Sequence, residues 1–235
     1  MKAVILAGGL GSRLRPFTQI IPKPLLPIGE KSVLEIQIEH LKDCGFDEIF
    51  LATNYKSDYI GNFFGDGSRY GVKLTISKEE KPLGTAGPLT LLKHELDDTF
   101  LMMNGDILTL LNFSNMYSFA SKNDCLLTIG IKEYIMPFAF GNVFIEGDYV
   151  TGIEEKPDIK YKILAGIYVM KPGIFDLIPD DQYFGMDNLI QKMLAENYPI
   201  AKYEIAEYWL DIGQVEDFQQ AQDIYSKHFN SETDK

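Results

Sequence analysis

The stretch AVILAGGLGSRLRPFTQIIPKPLLP, residues 3–27, decides how the rest of the chain reads. Its apolar start predicts a buried strand over Lys2–Ala7. The run breaks at Gly8, Gly9 and Gly11, and Arg13, Arg15 and Lys23 follow. Without a Cβ, a loop lets backbone N–H groups come close to a ligand and turn through angles closed to other residues. Successive N–H groups there make a concave anion site, and the cations beyond it suit a polyphosphate. The same residues also fit a plain strand-to-loop turn with surface arginines.

Two phosphate-binding patterns are excluded. No Gly-Lys-Ser/Thr triplet closes the loop, so it is not a P-loop. Gly9 and Gly11 supply the first half of a dinucleotide fingerprint, but Leu14 stands at its third glycine position.

Beyond this loop, strand-like and helix-like segments alternate. Ser32, with Glu35 three residues on, forms a capping box for a helix over Val33–Cys44, ended by Gly45. Strands are predicted at Glu48–Thr53, Val72–Ser77 and Phe100–Met103, and helices at Tyr55–Phe63, Ala86–His94 and Asn115–Ser121. The alternation predicts an α/β fold: a Rossmann-like, mostly parallel mixed sheet with helices on both faces. Ligands in such sheets sit beyond the carboxyl ends of the strands, the edge that holds Gly8–Arg15 and Asp106. The second half reads differently. Cys125–Lys132 and Leu164–Met170 are strands, Gly141–Glu155 is a hairpin turning at Glu146-Gly147-Asp148, and Met186–Glu196 and Val215–Lys227 are helices. With no linker, repeat or low-complexity block, residues 1–229 read as one domain and 230–235 as a frayed polar tail.

A chain of 235 residues, 46% hydrophobic and 24% charged, has enough material for a large core. The first strand is predicted to start at Lys2, so no signal peptide is expected, and no apolar run nears the length of a membrane span. Cys44 and Cys125 make neither a disulfide framework nor a metal site, so the expected address is the reducing cytoplasm. A net charge of −12 argues against a nucleic-acid partner. An enzyme with anionic substrates then needs local cations, backbone N–H groups and a divalent metal to reverse the sign at its site. No membrane partner is expected, and a homo-oligomer is left open.

Two aspartates stand out. Asp106 ends the Phe100–Met103 run in Asn104-Gly105-Asp106, where it would meet phosphates gathered at the strand ends; the triplet is also ordinary turn composition. Asp211 follows the single tryptophan in Tyr208-Trp209-Leu210-Asp211-Ile212-Gly213, and it can equally be read as the cap of the Val215–Lys227 helix. Glu155 and Lys156 precede Pro157 at the end of the hairpin, a position where exposed charges are the norm. In the link Lys78–Pro88, Gly84 leaves backbone open to a base or ribose, and Thr85 is a candidate cap.

Taken together, AGGxGSRLxPxT with PKP, LxxNGD, PLGTAGPL, EEKP and WxDIGxxED resemble the motifs of the sugar-phosphate nucleotidylyltransferases from Met1 to about Gln222. Within that family the likeness is greatest to mannose-1-phosphate and heptose 1-phosphate guanylyltransferases. Such enzymes join a nucleoside triphosphate to a sugar 1-phosphate and release pyrophosphate, on a nucleotide-diphospho-sugar transferase fold. The resemblance implies that Leu6, Ala7, Gly8, Gly9, Gly11, Ser12 and Arg13 wrap the triphosphate. It gives catalytic roles to Arg13, Lys23 and Asp106, an outer electrostatic role to Arg15, and a Mg2+ ion to Asp106 and Asp211. Gly141, Asn142, Glu155, Lys156, Ala165 and Gly166 would bind the sugar phosphate, Glu155 on sugar hydroxyls and Lys156 on the phosphate. Glu79, Gly84 and Thr85 would face the base. An ionised carboxylate only accepts hydrogen bonds and can take both donors on one edge of guanine, so Glu79 or Glu80 points to GTP. The alternative is thymidylyl, uridylyl or cytidylyl transfer, to glucose 1-phosphate or another phosphorylated acceptor. A non-catalytic nucleotide-sugar binding protein is a further reading, opposed by the full set of cations and aspartates. One departure is that many GDP-mannose enzymes carry a C-terminal β-helix of hexapeptide repeats, and this sequence stops before one.

Overall fold

Alternation along the first strand sets up two covered sheet faces. In β1 (Lys2–Leu6), Ala3 and Ile5 pack into one apolar cluster and Val4 into another, as a period of two requires in a sheet buried on both sides. The computed structural model describes residues 1–9, 11–54 and 56–228. Its remaining strands are β2 (Pro27–Ile28), β3 (Lys31–Ser32), β4 (Glu48–Thr53), β5 (Lys73–Lys78), β6 (Phe100–Asn104), β7 (Ile107–Thr109), β8 (Leu127–Pro137), β9 (Asn142–Glu146), β10 (Tyr149–Glu154), β11 (Asp158–Met170), β12 (Ile200–Glu204) and β13 (Trp209–Asp211). The helices are α1 (Phe17–Ile20), α2 (Val33–Asp43), α3 (Ser57–Phe64), α4 (Phe113–Lys122), α5 (Met186–Ala195) and α6 (Val215–His228).

Seven strands form the main sheet in the order β12-β8-β11-β6-β1-β4-β5. Only β11 runs antiparallel to its neighbours; the other pairs are parallel. Leu34, Ile38 and Leu41 of α2, with Phe64 and Phe113, cover one face. Leu89, Phe175 and Leu189 cover the other. A third cluster lies off the sheet, where Leu14, Ile28, Leu108, Leu210, Ile212, Ala221 and Tyr225 pack together. That cluster ties α6 and the small β7–β13 ladder to the glycine loop.

The capping box of α2 forms: Glu35 N donates to Ser32 Oγ at 3.2 Å, and Ser32 N to Glu35 Oε2 at 2.8 Å. The predicted helix over Ala86–His94 is instead a short 3-10 turn, Gly87–Leu92. Gly87 and Pro88 are poor α-helix formers, and the N–H groups of Ala86 and Gly87 are engaged by Phe184 O at 2.9 and 3.0 Å. Asp211 does not open the last helix. It ends β13, and Asp217 accepts instead from Gly213 N and Gln214 N, at 3.1 and 2.8 Å. The strand predicted at Leu164–Met170 starts earlier, at Asp158, with a bulge between Leu164 and Tyr168. Together β8 and β11 extend past the sheet as an arm that carries the β9–β10 hairpin. The residues expected to fray, 230–235, lie outside the described residues. Among the described residues, no helix is long and apolar enough to cross a membrane.

Candidate active site

The turn after β6 brings Asp106 against the end of β1. Gly105 N donates to Leu6 O at 2.9 Å, and a Cβ on Gly105 would stand 2.6 Å from that oxygen. One carboxylate oxygen of Asp106 accepts from Lys23 Nζ. The other is buried and has no hydrogen-bond partner among the described residues.

Asp211 arrives from far along the chain. β13 pairs antiparallel with β7, with Asp211 opposite Ile107 and Leu210 opposite Leu108. Ile212 N donates to Asp106 O at 2.9 Å. Leu210 and Ile212 are buried in the third cluster, and strand alternation turns Asp211 between them the opposite way. Its Oδ1 is also buried without a partner. Burial, and next the Asp106 charge, push the Asp211 carboxyl up to about 6, while Lys23 and Arg13 oppose the rise.

The glycine loop supplies the cationic wall. Gly11 has φ +58°, and a Cβ there would lie 2.8 Å from Thr18 Cγ2; this left-handed turn suits glycine. Thr18 Oγ1 donates to Gly11 O at 2.7 Å. Leu14, buried in the third cluster, anchors the following turn, so Ser12 and Arg13 face out. A Cβ on Gly213 would stand 3.6 Å from Asp211 Oδ1 and 3.7 Å from an Arg13 guanidinium nitrogen, so the arginine reaches the Asp211 end. A cavity of about 310 Å³ gathers Gly9, Gly11, Ser12, Arg13, Lys23 and Asp106. Leu10 lies outside the described residues.

A second cavity of about 390 Å³ continues from the first; Leu6, Gly9 and Asp106 line both. Its far end holds Gly8, Asn54, Glu79, Pro82, Gly84, Thr85 and Tyr183. Glu79 is only 8% exposed. Burial raises its carboxyl, opposed by hydrogen bonds from Leu83 N and the Asn54 side chain, the former at 2.9 Å. Glu80 is exposed and lines neither cavity, so Glu79 is the one of the two acids that faces this space.

The residues expected at the sugar divide into two groups. Ala165 is buried, and its carbonyl accepts from Trp209 Nε1 at 2.8 Å. Gly166 backs onto Asn104, where a Cβ would meet Nδ2 at 2.6 Å, and Asn104 lines the second cavity. Gly141, Asn142, Glu155 and Lys156 sit instead on the exposed arm, with a Gly141 Cβ position 3.0 Å from Glu155 Oε2. Neither cavity includes these four, nor Ala7 or Arg15. Ala7 is buried, with its N–H on Ala52 O at 2.7 Å.

Sequence reasoning missed Asn54, Gln37 and Tyr183. Asn54 follows β4 at the carboxyl edge, so its position was a usable signal. Gln37 lies between Leu34 and Leu41 on the buried stripe of α2, where a polar residue needs partners; its Nε2 donates to Asn104 O at 3.0 Å and Ile107 O at 2.7 Å, bracketing Asp106. Tyr183 stands in a polar run with no pattern to single it out.

A mostly parallel sheet with a cation-lined, acid-bottomed cavity at its carboxyl edge defines an α/β protein of the nucleotide-handling class. The chain belongs to the Nucleotidyl transferase family, whose model matches residues 2–228. It is 36% identical over 227 residues to the mannose-1-phosphate guanyltransferase of Yarrowia lipolytica, an alignment covering 93% of this chain and 62% of that protein. This chain therefore spans less than two thirds of that relative's length. Among solved structures it is similar to HddC from Yersinia pseudotuberculosis, with TM-score 0.76 and 29% identity, covering 95% of this chain and 99% of the other. The same protein complexed with GMP-PN gives TM-score 0.73 and 28% identity, with the same coverage.

Proposed function

We propose that this chain transfers a guanylyl group from GTP to a sugar 1-phosphate of mannose or heptose type, releasing pyrophosphate. One observation carries the reading: Arg13, Lys23 and Asp106 line a single cavity that opens toward buried Glu79, and the β7–β13 ladder brings Asp211 beside Asp106. The likeness to a mannose-1-phosphate guanyltransferase and to a structure complexed with GMP-PN supports the choice of base and sugar class.

In this mechanism an oxygen of the sugar phosphate attacks the α-phosphorus in line, and pyrophosphate leaves opposite. The attacking phosphate is already ionised, so no protein nucleophile is needed; positioning and charge stabilisation do the catalysis. Arg13 and Lys23 neutralise charge on the phosphates, and the glycine loop offers N–H groups to them. Glu79 accepts from the guanine edge, held in orientation by Leu83 N and Asn54. Lys156, on the arm, would meet the incoming sugar phosphate.

Among the described residues, Asp106 and Asp211 each keep one buried oxygen without a partner. Two such oxygens on neighbouring carboxylates, one of them from a cavity-lining residue, fit Mg2+, which takes one or two carboxylates and fills its remaining positions with phosphate oxygens and water. When bound there, the ion would neutralise charge and orient the two phosphates.

The test is pyrophosphate release, with every nucleoside triphosphate against a panel of sugar 1-phosphates in the presence of Mg2+. GTP with a mannose- or heptose-type acceptor is expected to turn over fastest. A clear preference for dTTP or UTP overturns the base assignment. Nucleotide binding without release for any pair overturns catalysis.

A further inference from the structure

The mechanism above leaves Tyr183 unused. It lies in Asp180-Asp181-Gln182-Tyr183-Phe184-Gly185, just before α5. Its side chain is 71% exposed, yet the backbone around it is held firmly. Phe184 N donates to Leu83 O at 2.8 Å, and Phe184 O accepts from Ala86 N and Gly87 N at 2.9 and 3.0 Å. Met186 N donates to Thr85 Oγ1 at 2.8 Å. The two segments pack so closely that side chains are excluded between them. A Cβ on Gly84 would stand 2.6 Å from Phe184 O, and one on Gly87 2.8 Å from Gln182 O. Gly84 also has φ +86°. The glycines of the PLGTAG stretch thus serve as docking points for residues 182–186.

This strap fixes where Tyr183 stands. The residue lines the same cavity as Glu79, Pro82 and Gly84. A base whose edge meets Glu79 turns its faces to the flanking walls, which Leu6, Pro82 and Pro88 make apolar. A lone surface tyrosine carries no meaning by itself. One strapped beside a buried acid, on the rim of a nucleotide-sized cavity, does. A tyrosine has only two side-chain torsions to order, so it gains contact area at low entropic cost.

We infer that Tyr183 is a base-contacting residue of the nucleotide site, its ring closing the outer side of the cavity over the nucleobase. The inference rests on the proposed nucleotidyl transfer and adds a base contact to it. Its test uses equilibrium binding, which is independent of the sugar. Each nucleoside triphosphate, and pyrophosphate alone, is titrated into wild type, Tyr183→Ala and Tyr183→Phe, and steady-state kinetics follow. Loss of the ring is expected to weaken binding of the preferred triphosphate about tenfold, the scale of one base–aromatic stack. Tyr183→Phe keeps the ring and most of that affinity. Pyrophosphate affinity and the KM for sugar 1-phosphate stay put. Unchanged triphosphate affinity in folded Tyr183→Ala, or an equal loss for pyrophosphate, overturns the inference. A wild type that binds triphosphates but turns over no pair overturns the catalytic reading instead, and the binding arm still decides Tyr183.

Discussion

Replacing Asp211 by Asn removes a carboxylate whose ionisation is penalised by burial and next by the Asp106 charge. Burial and Asp106 lift the Asp211 carboxyl from 3.8 to about 6. At about 1.4 kcal/mol per pH unit, that rise sets a ceiling of about 3 kcal/mol on the penalty for ionising it in the folded, metal-free protein. Asp211 keeps some contact with water, and screening reduces the figure to roughly 1–2 kcal/mol. The sign follows from proton linkage. The folded state binds this proton more tightly than the unfolded chain, so ionised Asp211 destabilises the metal-free protein above about 6, and the penalty fades as pH falls through 6 toward 3.8. Asn retains the shape and removes the charge. In a chelator at mildly alkaline pH, Asp211→Asn should therefore melt higher than wild type, by about 2–4 °C for each kcal/mol in a chain of this size. In acid the two melting temperatures converge. Adding Mg2+ at alkaline pH raises the wild type and leaves the variant nearly unmoved. Scanning calorimetry across pH, with and without the ion, reads all three effects. If the variant melts lower than wild type in chelator at alkaline pH, or gains as much from Mg2+, the electrostatic reasoning is wrong.

Three further outcomes are expected. Arg13→Ala and Asp106→Ala should each lower turnover by about 10²–10³-fold with the circular dichroism spectrum kept; near-normal rates in purified Asp106→Ala would remove it from the reaction. Glu79→Gln replaces an acceptor-only group with one that also donates, so the advantage of GTP over UTP and dTTP in kcat/KM should shrink by about tenfold. Gln37→Leu leaves the carbonyls of Asn104 and Ile107 without their side-chain donor; about 1–3 kcal/mol of stability is lost in urea unfolding, and Mg2+ is bound more weakly because the turn carrying Asp106 loosens.

The glycine loop and Asp106 could be placed at one edge because each follows a predicted strand, and strand ends in a parallel sheet share one edge. β1, β4 and β6 announced themselves through continuous apolar runs that both faces of the sheet bury. Local signals misled where tertiary partners took over. The segment after Thr85 became a 3-10 turn once Phe184 claimed its first N–H groups. The short pairs β2–β3 and β7–β13 have two or three residues a strand, too few for a period to register.

Local residue patterns suffice for the α/β alternation, the place of the glycine loop and the types of side chain beside it, since these depend on neighbours a few residues apart. Which acids meet depends on packing between distant segments. Asp211 joins Asp106 because Leu210 and Ile212 are buried and the ladder register sets the residue between them opposite Ile107, beside the Asp106 turn. Glu79 rather than Glu80 faces the second cavity because one lies inward and its neighbour outward at the end of β5. Tyr183 joins them only because the backbone of residues 182–186 is strapped across the glycines at 84 and 87. Pairings between distant segments are fixed by packing and register, and no short window of residues contains them.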